Sequence, residues 1–183
     1  MKPARRLRFI KKSIRRKFKP YPALDDLEFL VVSPGGVGTT FLMKYLAGML
    51  DINDPEDADH LKHWHKPPSG QALADAPRML FVTGDPDVIV ASIARRGWLR
   101  HQSAKLGSFT GTVFSGHLQR KVFRKAVEAQ IAAWTACTSD KLLIVAYDEL
   151  WDRAGDIARH AGLDPETFVA SFPPRKERKS VPA

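Results

Sequence analysis

Two stretches carry residue types at spacings that can do chemistry. "SPGGVGTTF" (Ser33–Phe41) holds three glycines followed by two threonines. Gly35, Gly36 and Gly38 let a backbone curl so that the amides from Gly35 through Val37 to Thr40 turn inward. Thr39 and Thr40 add hydroxyls where a helix begins, at its unpaired N–H groups and positive dipole end. Such a turn can cradle a phosphate or a related oxyanion. The second stretch, "HLKHWHKPP", holds His60, His63 and His65. Imidazole is the usual proton acceptor near neutral pH. The three can also be read as metal ligands or as ordinary loop histidines, but no acidic or cysteine partner is placed to complete a metal set.

The elements needed to position these groups are readable. "LEFLVVS" before the glycines, "RMLFVTG" from Arg78 and "KLLIVAY" from Lys141 are continuous apolar runs, as expected of strands buried on both faces of a parallel sheet. Helices are expected between them. One follows Thr39 and one opens at Asp85-Pro86. A long amphipathic helix starts near Leu118, another helix stops near Gly162, and a short one starts at Asp164. His101–Gly116, rich in Gly, Ser and Thr, reads as a long mobile loop that can close over a site together with Trp98 and Arg100. The pattern predicts an α/β fold: a three-layer, P-loop-like domain with a central parallel sheet flanked by helices.

Composition limits the rest. Ten of the 29 Lys and Arg fall in residues 1–19, without an acid, and the remaining chain is close to neutral. This divides the chain into a basic arm (1–20) and one domain (21–183). On a helix, Leu7, Ile10, Ile14 and Phe18 of the arm would share a stripe, the pattern of a segment that lies on an anionic membrane surface; a solvated tail is the alternative. A neutral domain gives no reason to expect specific nucleic-acid binding. The single cysteine, Cys137, excludes disulfides and is expected in the core. No apolar run is long enough to span a bilayer, so the expected location is cytoplasmic, or peripheral at the membrane.

The glycine turn departs from the ordinary phosphate loop G-x-x-x-x-G-K-[ST], because Thr39 follows Gly38 where lysine is expected. That disfavours ATP or GTP hydrolysis. "SPGGVGTTFL", "RMLFVTGDPDVIVASIARRGW" and "LLIVAYDELWDRAGDIARHAGLD", in this order and spacing, resemble the 5′-phosphosulfate loop, the 3′-phosphate segment and the later strand-turn-helix of sulfotransferases. The resemblance runs from Leu27 to Phe172. It implies transfer of a sulfuryl group from 3′-phosphoadenosine 5′-phosphosulfate (PAPS) to a hydroxyl of a glycan, lipid or small molecule, leaving 3′-phosphoadenosine 5′-phosphate (PAP), with no metal expected.

Carried over by position, Gly38, Thr39 and Thr40 would hold the 5′ end and Ser92 the 3′-phosphate. A short phrase of the family lays His65 on its base, with His63 second. Gly36 and Gly84 stand where the family has lysine and arginine. Replacement charge is expected from Arg95 or Arg96, from Lys62 or Lys66, or from the tail (Arg175, Lys176, Arg178, Lys179). Two other readings stay open: a different P-loop phosphotransferase, and a non-catalytic protein of this fold that docks an anionic partner.

Overall fold

The structure is a computed structural model that describes residues 24–175 together with Ile10, Lys11, Ile14 and Phe18. Of the proposed stripe of the basic arm, Ile10, Ile14 and Phe18 are described, all three helical and the last two exposed, whereas Leu7 lies outside the described residues, as do Lys176, Arg178 and Lys179.

Three parallel strands form the sheet in the order β1-β2-β3: β1 is Phe29–Val32, β2 Arg78–Thr83 and β3 Leu142–Ala146. Val31 pairs with Leu80, and Leu80 with Leu143. Because side chains alternate along a strand, each run feeds two cores. Phe29, Val31, Leu80 and Val82 belong to one cluster, and Leu30, Val32, Met79 and Phe81 to another. This is why the runs are continuously apolar. The outer edge of β1 is closed by Asn53: its Oδ1 accepts from Val31 N at 2.8 Å, and its Nδ2 donates to Val31 O at 2.9 Å. A side chain here occupies backbone groups that would otherwise invite another strand.

Helix α1 (Thr39–Leu46) follows β1, and the short α2 (Gln71–Ala74) precedes β2. Next come α3 (Pro86–Arg95), α4 (Leu99–Lys105), α5 (Phe109–Val113) and α6 (Gly116–Thr135). After β3, a 3-10 turn (Tyr147–Glu149) leads to α7 (Ala154–Ala161) and α8 (Pro165–Ser171). The Asp-Pro openings act as expected. Asp85 accepts from Asp87 N and Val88 N, and Asp164 accepts from Thr167 N; each satisfies an orphan N–H of the first turn. Gly162, in the left-handed conformation, ends α7.

The segment expected to be a long mobile loop, His101–Gly116, is mostly helical. Ser108 caps α5 by accepting from Gly111 N at 3.3 Å, and Thr112 Oγ1 donates to Phe109 O at 2.6 Å. A Cβ on Gly111 would lie 2.4 Å from Ser103 Oγ. The small polar residues thus serve caps and a close helix contact. Cys137, expected in the core, is only partly buried, just beyond the end of α6.

On the second face, Trp134 stacks on Phe81 with ring centroids 5.1 Å apart. Trp64 is fully buried beside them. Its carbonyl accepts from Gln130 Nε2 at 2.7 Å and from Trp134 Nε1 at 3.1 Å. Burial of an indole is worth several kcal/mol (Trp→Ala typically costs about 3–5). Trp64 therefore pins the histidine segment to α6 and holds Lys62 and His63 at the end of β1.

Candidate functional site

A cavity of about 790 Å³ opens beyond the carboxyl end of β1. The glycine turn forms its floor, with Lys62, His63 and Asp57 on one side and α4 on the other. Gly35, Gly36 and Gly38 all have left-handed backbones (φ 85, 77 and 70). Gly38 is the N-cap of α1, so the turn runs directly into a helix start. The hydroxyls of Ser33 and Thr39 lie 2.9 Å apart, bridging the end of β1 to the first turn of α1.

Close packing explains why the turn is so rich in glycine. At Gly36 a Cβ would meet the Ile89 carbonyl at 3.2 Å and Ile93 Cγ1 at 3.3 Å. At Gly84 it would meet Val37 Cγ1 at 3.0 Å. The two positions where sulfotransferases carry cations are therefore contact points between the turn, the β2–α3 junction and α3. Val37 lies in the core and anchors the turn from below. Gln102 clamps it from above: its Nε2 donates to Pro34 O at 3.0 Å, and it fills the space a Cβ on Gly35 would need.

Positive charge arrives from other elements. Lys62 Nζ donates to Thr40 Oγ1 at 2.7 Å and to Pro55 O at 2.6 Å. Both acceptors are neutral, and the carboxylates of Asp57, Glu56 and Asp54 act on the charge from nearby. Burial pushes this ammonium's pKa down. Lys105 Nζ meets Asp57 Oδ2 at 2.5 Å in a buried pair. Asp57 has a left-handed backbone (φ 64), which turns the acidic loop so that its carboxylate faces inward. Arg96 donates through Nη2 to Ser92 Oγ at 2.5 Å and lies over the Trp98 ring at 5.3 Å. Ser92 is buried beneath it and does not itself line the cavity.

His63 is buried, and its Nδ1 donates to Ser33 O at 2.8 Å. A carbonyl can only accept, so Nδ1 carries the proton and Nε2 keeps a lone pair. Burial lowers its pKa to about 3; Asp57 works against this and Lys105 adds to it, both more weakly. The ring is therefore neutral at pH 7, the form a proton acceptor needs. The unfolded chain binds this proton near 6.5, so between about 3 and 6.5 the unfolded state holds more protons than the folded one. Stability from the neutral ring is complete above 6.5 and is lost as pH falls toward 3. The contribution between pH 6 and 5 approaches the one-proton limit of about 1.4 kcal/mol per pH unit. Urea unfolding at the two pH values checks it: His63→Asn, which keeps a donor toward Ser33, should lose most of that difference.

The other sequence candidates lie elsewhere. His65 is half-buried against Trp64 and does not line the cavity. His60 is exposed, its Nδ1 3.1 Å from Asp57 O. Among the described residues no His, Cys, Asp and Glu group is arranged to hold a metal ion. Arg95 and Lys66 are exposed away from the cavity lining. Arg175 donates to Asp148 Oδ1 at 3.1 Å and lies over Trp151. Trp98, Arg100 and His101 do line the cavity. Sequence reasoning missed Asp57, Lys105 and Gln102, which come from a loop and from a helix read as loop.

No protein-family model, curated protein or solved structure matches the chain. Function therefore has to be argued from the site. Among the described residues no helix is long and apolar enough to cross a membrane.

Proposed function

We propose that the chain is a sulfotransferase with a three-layer, P-loop-like fold, which uses PAPS to sulfate a hydroxyl-bearing acceptor. The observation that carries this reading is the convergence, in one cavity, of a left-handed glycine turn opening a helix, a buried lysine on that helix's first-turn hydroxyl, and a buried neutral imidazole. The residues fit an anionic nucleotide. Amides of Gly35–Thr40 and the helix start supply directed donors, and Lys62, Lys105 and Arg96 supply charge. The cavity volume is in the range of small-ligand sites.

Lys62 takes the part of the lysine missing from the turn. It reaches Thr40 from the neighbouring segment, so the turn itself can stay glycine and pack on α3. Arg96 stands in for the missing arginine through Ser92. When bound, PAPS supplies an activated sulfuryl group, whose bond to the 5′-phosphate oxygen breaks as the acceptor oxygen bonds to sulfur. His63 Nε2 takes the acceptor's proton, and the Nδ1 bond to Ser33 O holds the ring in that tautomer. Lys62 and the turn amides offset charge growing on the departing phosphate.

Thermal unfolding with PAP, ATP and GTP tests the donor. A nucleotide at 100 times its Kd stabilises by about 2.7 kcal/mol. For a chain of this size that raises Tm by roughly 5–10 °C. Selective stabilisation by PAP supports the proposal. Selective stabilisation by ATP or GTP replaces it with a phosphotransferase, and no effect from any of the three leaves a non-catalytic protein of this fold.

A further inference from the structure

Charge in the domain is near balance overall but locally lopsided. Between Asp87 and Glu128 there is no acidic residue, and there are eight Lys and Arg with His101 and His117. This stretch forms most of α3, α4, α5 and the first half of α6, and it lines the cavity chiefly through Arg96–Gln102 and Lys105. Lys105 pairs with Asp57, and Arg124 with Asp87 and Glu128.

The same stretch carries four large apolar side chains in solvent: Trp98 (51% exposed), Phe109 (45%), Phe114 (37%) and Leu118 (47%). Arg100 Nη2 donates to Phe114 O at 3.0 Å, which joins the start of α4 to the end of α5. On α6, Leu118, Lys121 and Lys125 follow at three- and four-residue spacing, so they share the face opposite buried Phe123 and Val127. Trp98 lines the mouth of the cavity.

The geometry points to this stretch as a docking surface for an anionic lipid bilayer, with the cavity mouth at the headgroup level and the acceptor hydroxyl carried by a membrane lipid. The charge selects among occupants. A second copy would bring the same cations face to face and be repelled. A nucleic acid would satisfy the cations but leave Phe109 and Leu118 with nothing apolar to enter. Interleaved aromatic, leucine and basic side chains match the interface of an anionic membrane, where the apolar groups insert and the cations meet phosphates. The docking claim stands on this stretch alone; the claim about the acceptor rests on the sulfotransferase reading.

The test is made on the full chain with vesicles of phosphatidylcholine and phosphatidylglycerol brominated on their acyl chains. Trp64 and Trp134 are buried, and Trp151 is half-buried among Phe41, Tyr147 and Phe172, so the quenching lost in Trp98→Phe is the part that reports on Trp98. Vesicles should quench part of the emission, and Trp98→Phe should remove that part. The pair Phe109→Ser and Leu118→Ser, both at exposed positions, should weaken vesicle binding about tenfold with Tm unchanged. The basic arm can bring the protein to vesicles unaided, so binding without quenching of Trp98 overturns the inference. So does full competition by RNA without quenching. Quenching alongside silence toward PAP retains the docking surface and removes the sulfotransferase reading; PAP stabilisation without quenching does the reverse.

Discussion

His63→Asn should reduce sulfuryl transfer about a thousandfold, within the 10²–10⁴ range of general-base catalysis, and leave stabilisation by PAP intact. The split follows from where the two jobs sit. In the proposed binding mode the donor is held by the turn amides, Lys62 and Arg96, and the bonds of Lys62 to Thr40 and of Arg96 to Ser92 do not pass through the ring. Asn keeps a side-chain donor for Ser33 O, so the end of β1 stays tethered, and it offers no nitrogen lone pair in place of Nε2. His65→Ala is the control and should hold transfer within a few-fold, because that ring lies outside the cavity lining. Initial rates on both variants, each with its PAP thermal shift, decide between them. Full activity in His63→Asn, or loss only in His65→Ala, would remove His63 from the mechanism. Although burial holds the pKa near 3, an anion bound beside the ring favours the imidazolium and raises it. The bound donor thereby moves the base toward its task.

Restoring the lysine of the sulfotransferase turn should harm this protein. Gly36→Lys forces a side chain onto a residue with φ 77, which costs about 1–2 kcal/mol. Its Cβ also presses on the Ile89 carbonyl, where a 3.2 Å contact can relax only if the turn or α3 moves. A total loss of roughly 3 kcal/mol corresponds to a fall in Tm of about 6–12 °C. Displacing the turn also misaligns its amides, so PAP should bind about tenfold more weakly. Thermal unfolding with a PAP titration gives both quantities. A stable Gly36→Lys protein that binds PAP better would mean that the turn had simply lost a cation, with no packing reason for glycine.

The fold was largely legible because its signals are local. Continuous apolar runs gave β1, β2 and β3, and Asp85-Pro86 and Asp164-Pro165 marked helix starts through a single side chain each. The glycine turn was legible for the same reason. Helices α4 and α5 were hidden because their Ser, Thr and Gly are the residues of loops; here they cap and pack, as with Gly111 against Ser103. The two halves of the cationic set differ in the same way. Arg96 was readable from its four-residue spacing to Ser92. Lys105 was not, since its partner Asp57 is distant in sequence and turned inward by a left-handed backbone. His63 and His65 could not be ranked by alternation, because the segment turns there: Trp64 N donates to Leu61 O at 3.1 Å.

The glycine turn is finished by residues made long after it. A Cβ on Gly38 would lie 3.0 Å from the ring of Tyr147, and Tyr45 on α1 donates to Phe168 O, 123 positions downstream. Contacts of such separation form late, because a long stretch of chain must be closed before they return any energy. During synthesis on the ribosome, the glycine turn therefore lacks its supporting walls until Tyr147 and α8 have emerged. The growing polypeptide spends most of its translation without a finished turn, and so unable to hold the donor proposed for it.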